Sequence, residues 1–140
     1  MHRSEVLLIE DNAGDALLIA QALAESLISV HLHIARDGEQ ALQIMGERDF
    51  EADLVILDLN LPKLSGYSVL AFCLKKTPVV VFTASMNDRD EGRAMSLGAR
   101  EFVRKPMEIQ DYKTAVCRMV RKWTAAKDIQ AEDSDGPGRE

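Results

Sequence analysis

The chain has 140 residues and a formal net charge of −6, with 17 basic side chains against 23 acidic ones. That length suits one domain with a covered sheet, and the acidic balance argues against a general nucleic-acid binder, which carries a basic patch. No apolar run approaches the roughly 20 residues that cross a bilayer, and the opening MHRSEVLLIE is too short for a signal peptide, so a cytoplasmic protein away from membranes is expected.

Strand-like and helix-like segments alternate along the chain. EVLLIE, Glu5 to Glu10, is a short apolar run suited to burial on both faces of a parallel sheet, and two adjacent acids, Glu10 and Asp11, close it. Asn12 can cap a helix whose Ala16, Ile19, Ala20, Leu23 and Leu27 recur at helical spacing. Val30, Leu32 and Ile34 alternate with His31 and His33, which predicts an edge strand with one drier face. The two histidines could ligate a metal from one strand face. With no third ligand in view, they read as polar edge-strand residues. Asp37-Gly38 signals a turn, and Gln40 to Met45 a short helix facing inward through Ala41, Leu42 and Met45.

Leu54 to Leu57 is a second buried-strand run; it ends in Asp58, and a turn region with Pro62 and Gly66 follows. A helix from about Gly66 to Lys75 would bury Val69, Leu70 and Cys73, with Tyr67 and Phe72 as packing residues. The short link KKTP leads into VVVFTAS, a strand ending at Thr83. Asn87 or Asp88 can cap a helix through Leu97, weakened inside by Gly92 and ended in a left-handed turn by Gly98. EFVRKP is a shorter fifth strand stopping at Lys105-Pro106. A long helix, about Met107 to Ala126, aligns Ile109, Tyr112, Val116, Met119 and Trp123 in one stripe. The domain is therefore expected to span 1–126, and the polar acidic tail 127–140, with its Gly and Pro, to be disordered. Cys73 and Cys117 sit in helical patterns without metal-type spacing and read as reduced core thiols.

Five strands alternating with five helices predict an α/β fold with a doubly wound parallel sheet and right-handed crossovers. In such a sheet the carboxyl ends of the strands share one edge, where chemistry gathers. Four of the five predicted strands end in a group suited to phosphoryl chemistry: Glu10 with Asp11, then Asp58, Thr83 and Lys105. Crowded carboxylates repel unless a cation lies between them, and oxygen-only ligands suit Mg2+. Lysine offers a point charge and threonine a hydrogen bond to phosphoryl oxygens. The set reads as a site that receives a phosphoryl group on Asp58 as an acyl phosphate, the developing charge being neutralised by Mg2+ and Lys105.

This set resembles the receiver domain of two-component response regulators, from Val6 to about Trp123. The resemblance implies a flavodoxin-like fold with strand order 2-1-3-4-5, and transfer to Asp58 from a phosphohistidine on a sensor histidine kinase or histidine phosphotransfer protein. It implies Mg2+ bound by Asp11, Asp58 and the backbone carbonyl of Asn60, with Glu10, in place of the commoner aspartate, acting through water. It also implies a cis Lys105-Pro106 bond, and a switch in which Thr83 moves toward phosphorylated Asp58 while Phe102 fills the space vacated. Asn60 and Ser85, each two residues beyond a site residue, would tune dephosphorylation. The signalling face would be that of the fourth helix, fifth strand and fifth helix, a possible homodimer surface, and Trp123 could anchor a dimer or kinase contact. The chain would be a phosphoacceptor rather than an enzyme acting on external substrates. Unless the chain is an excised receiver, signalling would then run through protein contacts or onward transfer, since no output domain follows in the sequence. The wording IEDNAGDALLIAQAL and ILDLNLPKLSG, with a late tryptophan, is similar to stand-alone regulators that partner bacterial phytochrome kinases, although the KKTP link is shorter than expected there.

Two other classes compete on a similar sheet. An aspartyl-phosphate hydrolase places a second aspartate two residues after its nucleophile; here that position is Asn60, a poor proton donor. A flavin-binding module needs a Ser-, Thr- and Gly-rich loop after the first strand, and DNAGDA is too acidic for an anionic ligand.

Overall fold

Short runs of β-branched and aliphatic residues form five strands, and the capped amphipathic segments between them form helices. The computed structural model describes residues 3–73 and 77–134, with side chains as far as 124. In order they are β1 (Ser4–Ile9), α1 (Ala13–Glu25), β2 (Val30–Ala35), α2 (Gly38–Met45), β3 (Leu54–Leu57), α3 (Gly66–Cys73), β4 (Val79–Thr83), α4 (Asp88–Leu97), β5 (Glu101–Arg104) and α5 (Ile109–Ser134). The strands pair in parallel in the order β2-β1-β3-β4-β5, as expected from the sequence. The lysines of the KKTP link and the last six positions of the expected tail, 135–140, lie outside the described residues.

The period-two alternation of side chains divides the strands between two cores. Val6, Leu8, Leu54, Ile56, Val80 and Phe82 face α1 and α5, meeting Ile19, Leu23, Val116, Met119 and Val120. Leu7, Ile9, Val55, Leu57, Val79 and Val81 face the other way, meeting Ala41, Met45, Val69, Leu70, Cys73 and Ala94. Each fully buried aliphatic side chain contributes about 1.5–3 kcal/mol, so the doubly covered strands β1, β3 and β4 anchor the molecule.

Most helix limits follow from their caps. Asn12 accepts from the Asp15 N–H and Asn87 from the Arg89 N–H, as expected. Gly98 ends α4 in the left-handed region at φ 113. Helix α2 begins earlier than expected, because Asp37 caps it by accepting from the Gln40 N–H at 2.8 Å. Helix α5 begins later, at Ile109, where the Glu108 carboxylate accepts from the Asp111 N–H at 2.8 Å. It runs to Ser134 rather than stopping near Ala126, since Ala, Lys, Gln and Glu favour helix and no Gly or Pro intervenes before Gly136.

Two expected core residues face water instead. Leu27 is 90% exposed at φ 56, beyond the end of α1, and Ile109, in the first turn of α5, is 60% exposed. Among the described residues, no helix is long and apolar enough to cross a membrane.

Candidate functional site

Register brings the strand ends together. Ile9 pairs with Leu57, so the next residues, Glu10 and Asp58, come to lie side by side, and the Asp58 N–H donates to the Ile9 carbonyl at 3.0 Å. Thr83 pairs with Arg104, and the Lys105 N–H donates to the Thr83 carbonyl at 2.8 Å. Backbone bonding thus continues one residue past the strands and fixes Glu10, Asp58, Thr83 and Lys105 on a rigid edge.

The Asp58 carboxylate is 5% exposed and fully engaged. Its Oδ1 accepts from the Thr83 hydroxyl at 2.8 Å and the Asn60 N–H at 3.0 Å; its Oδ2 accepts from Lys105 Nζ at 2.9 Å. Lys105 also donates to Glu10 Oε1 at 2.7 Å and lies 3.2 Å from Asp15 Oδ2. Glu10, 1% exposed, accepts from the Asn12 N–H at 3.1 Å through its other oxygen. The Tyr112 hydroxyl donates to Asp15 at 2.5 Å, tying α5 to α1 beside the site.

One ammonium therefore serves three carboxylates. Burial pushes the Glu10 carboxyl up to about 7, the Lys105 hydrogen bond pulling it down and the Asp58 charge adding to the rise. Burial works against the Lys105 charge, yet its hydrogen bonds to Glu10 and Asp58 and their charges outweigh that, and its pKa is raised. Burial and the Asp15 hydrogen bond raise Tyr112 as well. Chemically, Asp58 is a carboxylate held between a hydroxyl donor and an ammonium, amid surplus negative charge.

The other expected site residues divide clearly. Asp11 is exposed on the rim, and Glu10, Asp11 and Asp58 do not bring their oxygens together as a ready-made metal cluster. Asn60 reaches Asp58 through its backbone N–H. Ser85 points away: its hydroxyl donates to Asp90 on α4, while its N–H donates to Thr83 Oγ1 at 3.4 Å. Phe102 is half-buried against the α2/α3/α4 core, with the Arg104 guanidinium 5.4 Å from its ring centre. Trp123 lies off the site, its indole N–H donating to Glu101 at 3.0 Å. The expected cis bond before Pro106 is trans. Trans is the lower-energy isomer by about 0.5–1 kcal/mol, and Lys105 reaches both acids without the alternative.

Sequence reasoning missed Asp15 and the hydroxyl of Tyr112. Asp15 lies in the first turn of α1, just past the Asn12 cap, where the helix start is aimed at the strand ends. Tyr112 was placed correctly in the buried stripe, but its polar end went unassigned.

Comparison with known proteins places this geometry. The family model for the response regulator receiver domain matches residues 6–117. The chain is 38% identical over 116 residues to the response regulator Rcp1 of Synechocystis sp., covering 76% of this chain and 79% of that one. It matches the crystal structure of a phosphorylated cyanobacterial phytochrome response regulator, RcpA, with a TM-score of 0.81 at 31% identity, over 89% of this chain and 96% of that one. The Mn(2+)-bound form of Rcp1 matches with a TM-score of 0.78 at 31% identity, over 86% and 94%.

Proposed function

The chain belongs to the response regulator receiver family, and from that premise we propose that Asp58 is its phosphoacceptor. The observation that carries this reading is the Asp58 carboxylate, buried yet held by Thr83 on one oxygen and Lys105 on the other. An Asp58 oxygen attacks the phosphorus of a phosphohistidine on a sensor kinase or phosphotransfer protein; the P–N bond breaks and an acyl phosphate forms. The Lys105 ammonium and the Thr83 hydroxyl then turn from the carboxylate to the phosphoryl oxygens, where they balance the new charge.

The donor set fits Mg2+. Glu10, Asp11, Asp58 and the Asn60 carbonyl offer only oxygen, and the Asp58 charge, which adds to the burial-driven rise of Glu10, is the kind a divalent ion relieves. Bound there, the ion would neutralise phosphoryl oxygens. The Mn(2+)-bound Rcp1 relative supports a divalent ion in this fold.

A protein donor suits the surroundings. Leu17, Met107 and Ile109, at 60%, 101% and 60% exposure, lie on the α1 and β5–α5 segments that the Tyr112–Asp15 bond joins beside the site. The phytochrome regulators among the relatives support a phytochrome-type kinase as that donor, and a cytoplasmic setting. Output runs through Thr83 and Phe102 to the α4/β5/α5 face, where Met95 and Leu97, 43% and 44% exposed, give a homodimer apolar footing. Transfer to itself and slow self-hydrolysis, tuned from Asn60 and Ser85, are the only turnover this reading assigns.

The test is incubation with acetyl phosphate and Mg2+, followed by intact mass. The wild type gains one phosphoryl group, and Asp58→Asn gains none. A gain that survives Asp58→Asn, or unlimited phosphate release in place of a stable adduct, overturns the reading.

A further inference from the structure

At the opposite end of the sheet, β1 and its edge neighbour β2 gather three ligand-type side chains. Register pairs Glu5 with His31, and the strand period puts His33 on the same face as His31. Glu5 Oε1 lies 2.6 Å from His33 Nε2 and 3.2 Å from His31 Nδ1, and the two imidazole centres are 4.3 Å apart. Among the described residues, this is the group of three whose ligand atoms all lie within 4.8 Å of one another.

We propose that Glu5, His31 and His33 form a binding site for a borderline divalent transition ion such as Zn2+, with water in the fourth position. Two imidazole nitrogens and a carboxylate oxygen are a donor set that Zn2+ takes and that the hard ion Mg2+ does not. Tetrahedral Zn2+ with bonds of roughly 2.0–2.1 Å sets its donors about 3.3 Å apart. The Glu5–His31 pair is already at that spacing, and the Glu5–His33 pair opens by well under an ångström as the ion replaces the shared proton.

The frame that holds these donors is already built. The Glu5 N–H donates to Asp53 Oδ2 at 2.7 Å, fixing the start of β1. The His33 ring stands edge-on to Phe50, centroids 4.9 Å apart, which sets its orientation. His31, with its side chain 49% exposed, leaves the fourth position open to solvent. The ion would clip β2, an edge strand paired only through β1, to the body of the sheet. The site shares no residue with the Asp58 cluster and stands independently of the phosphoacceptor reading.

Zn2+ titration of the full chain against a chromophoric chelator tests this. One site is expected in the wild type. His31→Gln and His33→Gln each weaken it at least about tenfold, the low end of what losing a mere supporting partner costs a metal site. The half-exposed His31 can be replaced without loss of fold, checked by circular dichroism and by an unchanged rate of phosphorylation from acetyl phosphate. Asp11→Asn combined with Asp58→Asn keeps the Zn2+ affinity within about twofold, as for distant independent sites. Absence of Zn2+ binding, binding unaffected by both histidine variants, or binding abolished by the acidic-site variant overturns the proposal.

Discussion

Helices α4 and α5 both abut β5, yet different forces hold them. Helix α5 buries Tyr112, Val116, Cys117, Met119 and Val120, whereas α4 buries Ala94 alone. Polar pins hold α4 instead. Its Asp90 accepts from the Tyr67 hydroxyl at 2.5 Å and from the Ser85 hydroxyl; Arg93 lies 3.9 Å from the Tyr67 ring centre, and Arg104 donates to the Ser85 carbonyl at 3.0 Å. Apolar burial has no direction and offers a new charge nothing to pull on. Hydrogen bonds do. Thr83 bonds Asp58, and Ser85, two residues on, bonds Asp90, so hydrogen bonds lead from the carboxylate side of β4 to α4 within three residues.

The difference can be broken by mutation. Met119→Ala, on the packed side, is expected to cost about 2–5 kcal/mol in urea unfolding. A loss below about 1 kcal/mol would erase the contrast. Asp90→Asn weakens both acceptor contacts and is expected to cost about 1 kcal/mol. Hydrogen exchange should quicken in α4 and stay unchanged in α5; equal effects on both helices would refute local pinning.

The pH dependence sharpens the same point. Burial and the Asp90 hydrogen bond push Tyr67 up to about 12 from the ordinary 10. A raised pKa stabilises the fold fully below pH 10 and loses that contribution as pH climbs from 10 to 12. Hydrogen bonds from Ser85 and Tyr67 hold Asp90 below its usual 3.8, so its contribution is present above that value and fades as pH falls through the lowered pKa. Ellipticity in Tyr67→Phe should show a smaller alkaline step, with Tyr112 still contributing one, and a reduced acid step that Ser85 still supports. The smallest effect is expected for Met95→Ala on α4, within about 0.5 kcal/mol, because that side chain is already 43% exposed.

Features set by local chemistry were legible in the sequence. The apolar runs ending in Glu10, Asp58, Thr83 and Lys105, the caps at Asn12 and Asn87, and the left-handed Gly98 are written within a few residues of where they act. Features set by register between distant strands were not. Which of the neighbours Glu10 and Asp11 faces Lys105 depends on strand pleat: Glu10 continues the row of Val6 and Leu8 and goes inside, while Asp11 falls past the strand end. His31 and His33 lacked a third partner in the sequence because Glu5 reaches them from another strand. Leu27 and Ile109 fit the helical period but stand at helix ends, where the covering core has run out.

Trp123 is the chain's single tryptophan, and its indole N–H rests on Glu101, the β5 residue next to Phe102. Its intrinsic fluorescence therefore watches that strand without any added dye. If β5 shifts when Asp58 is modified, the emission should shift too, giving stopped-flow work a native optical gauge of how fast the signal leaves the carboxylate.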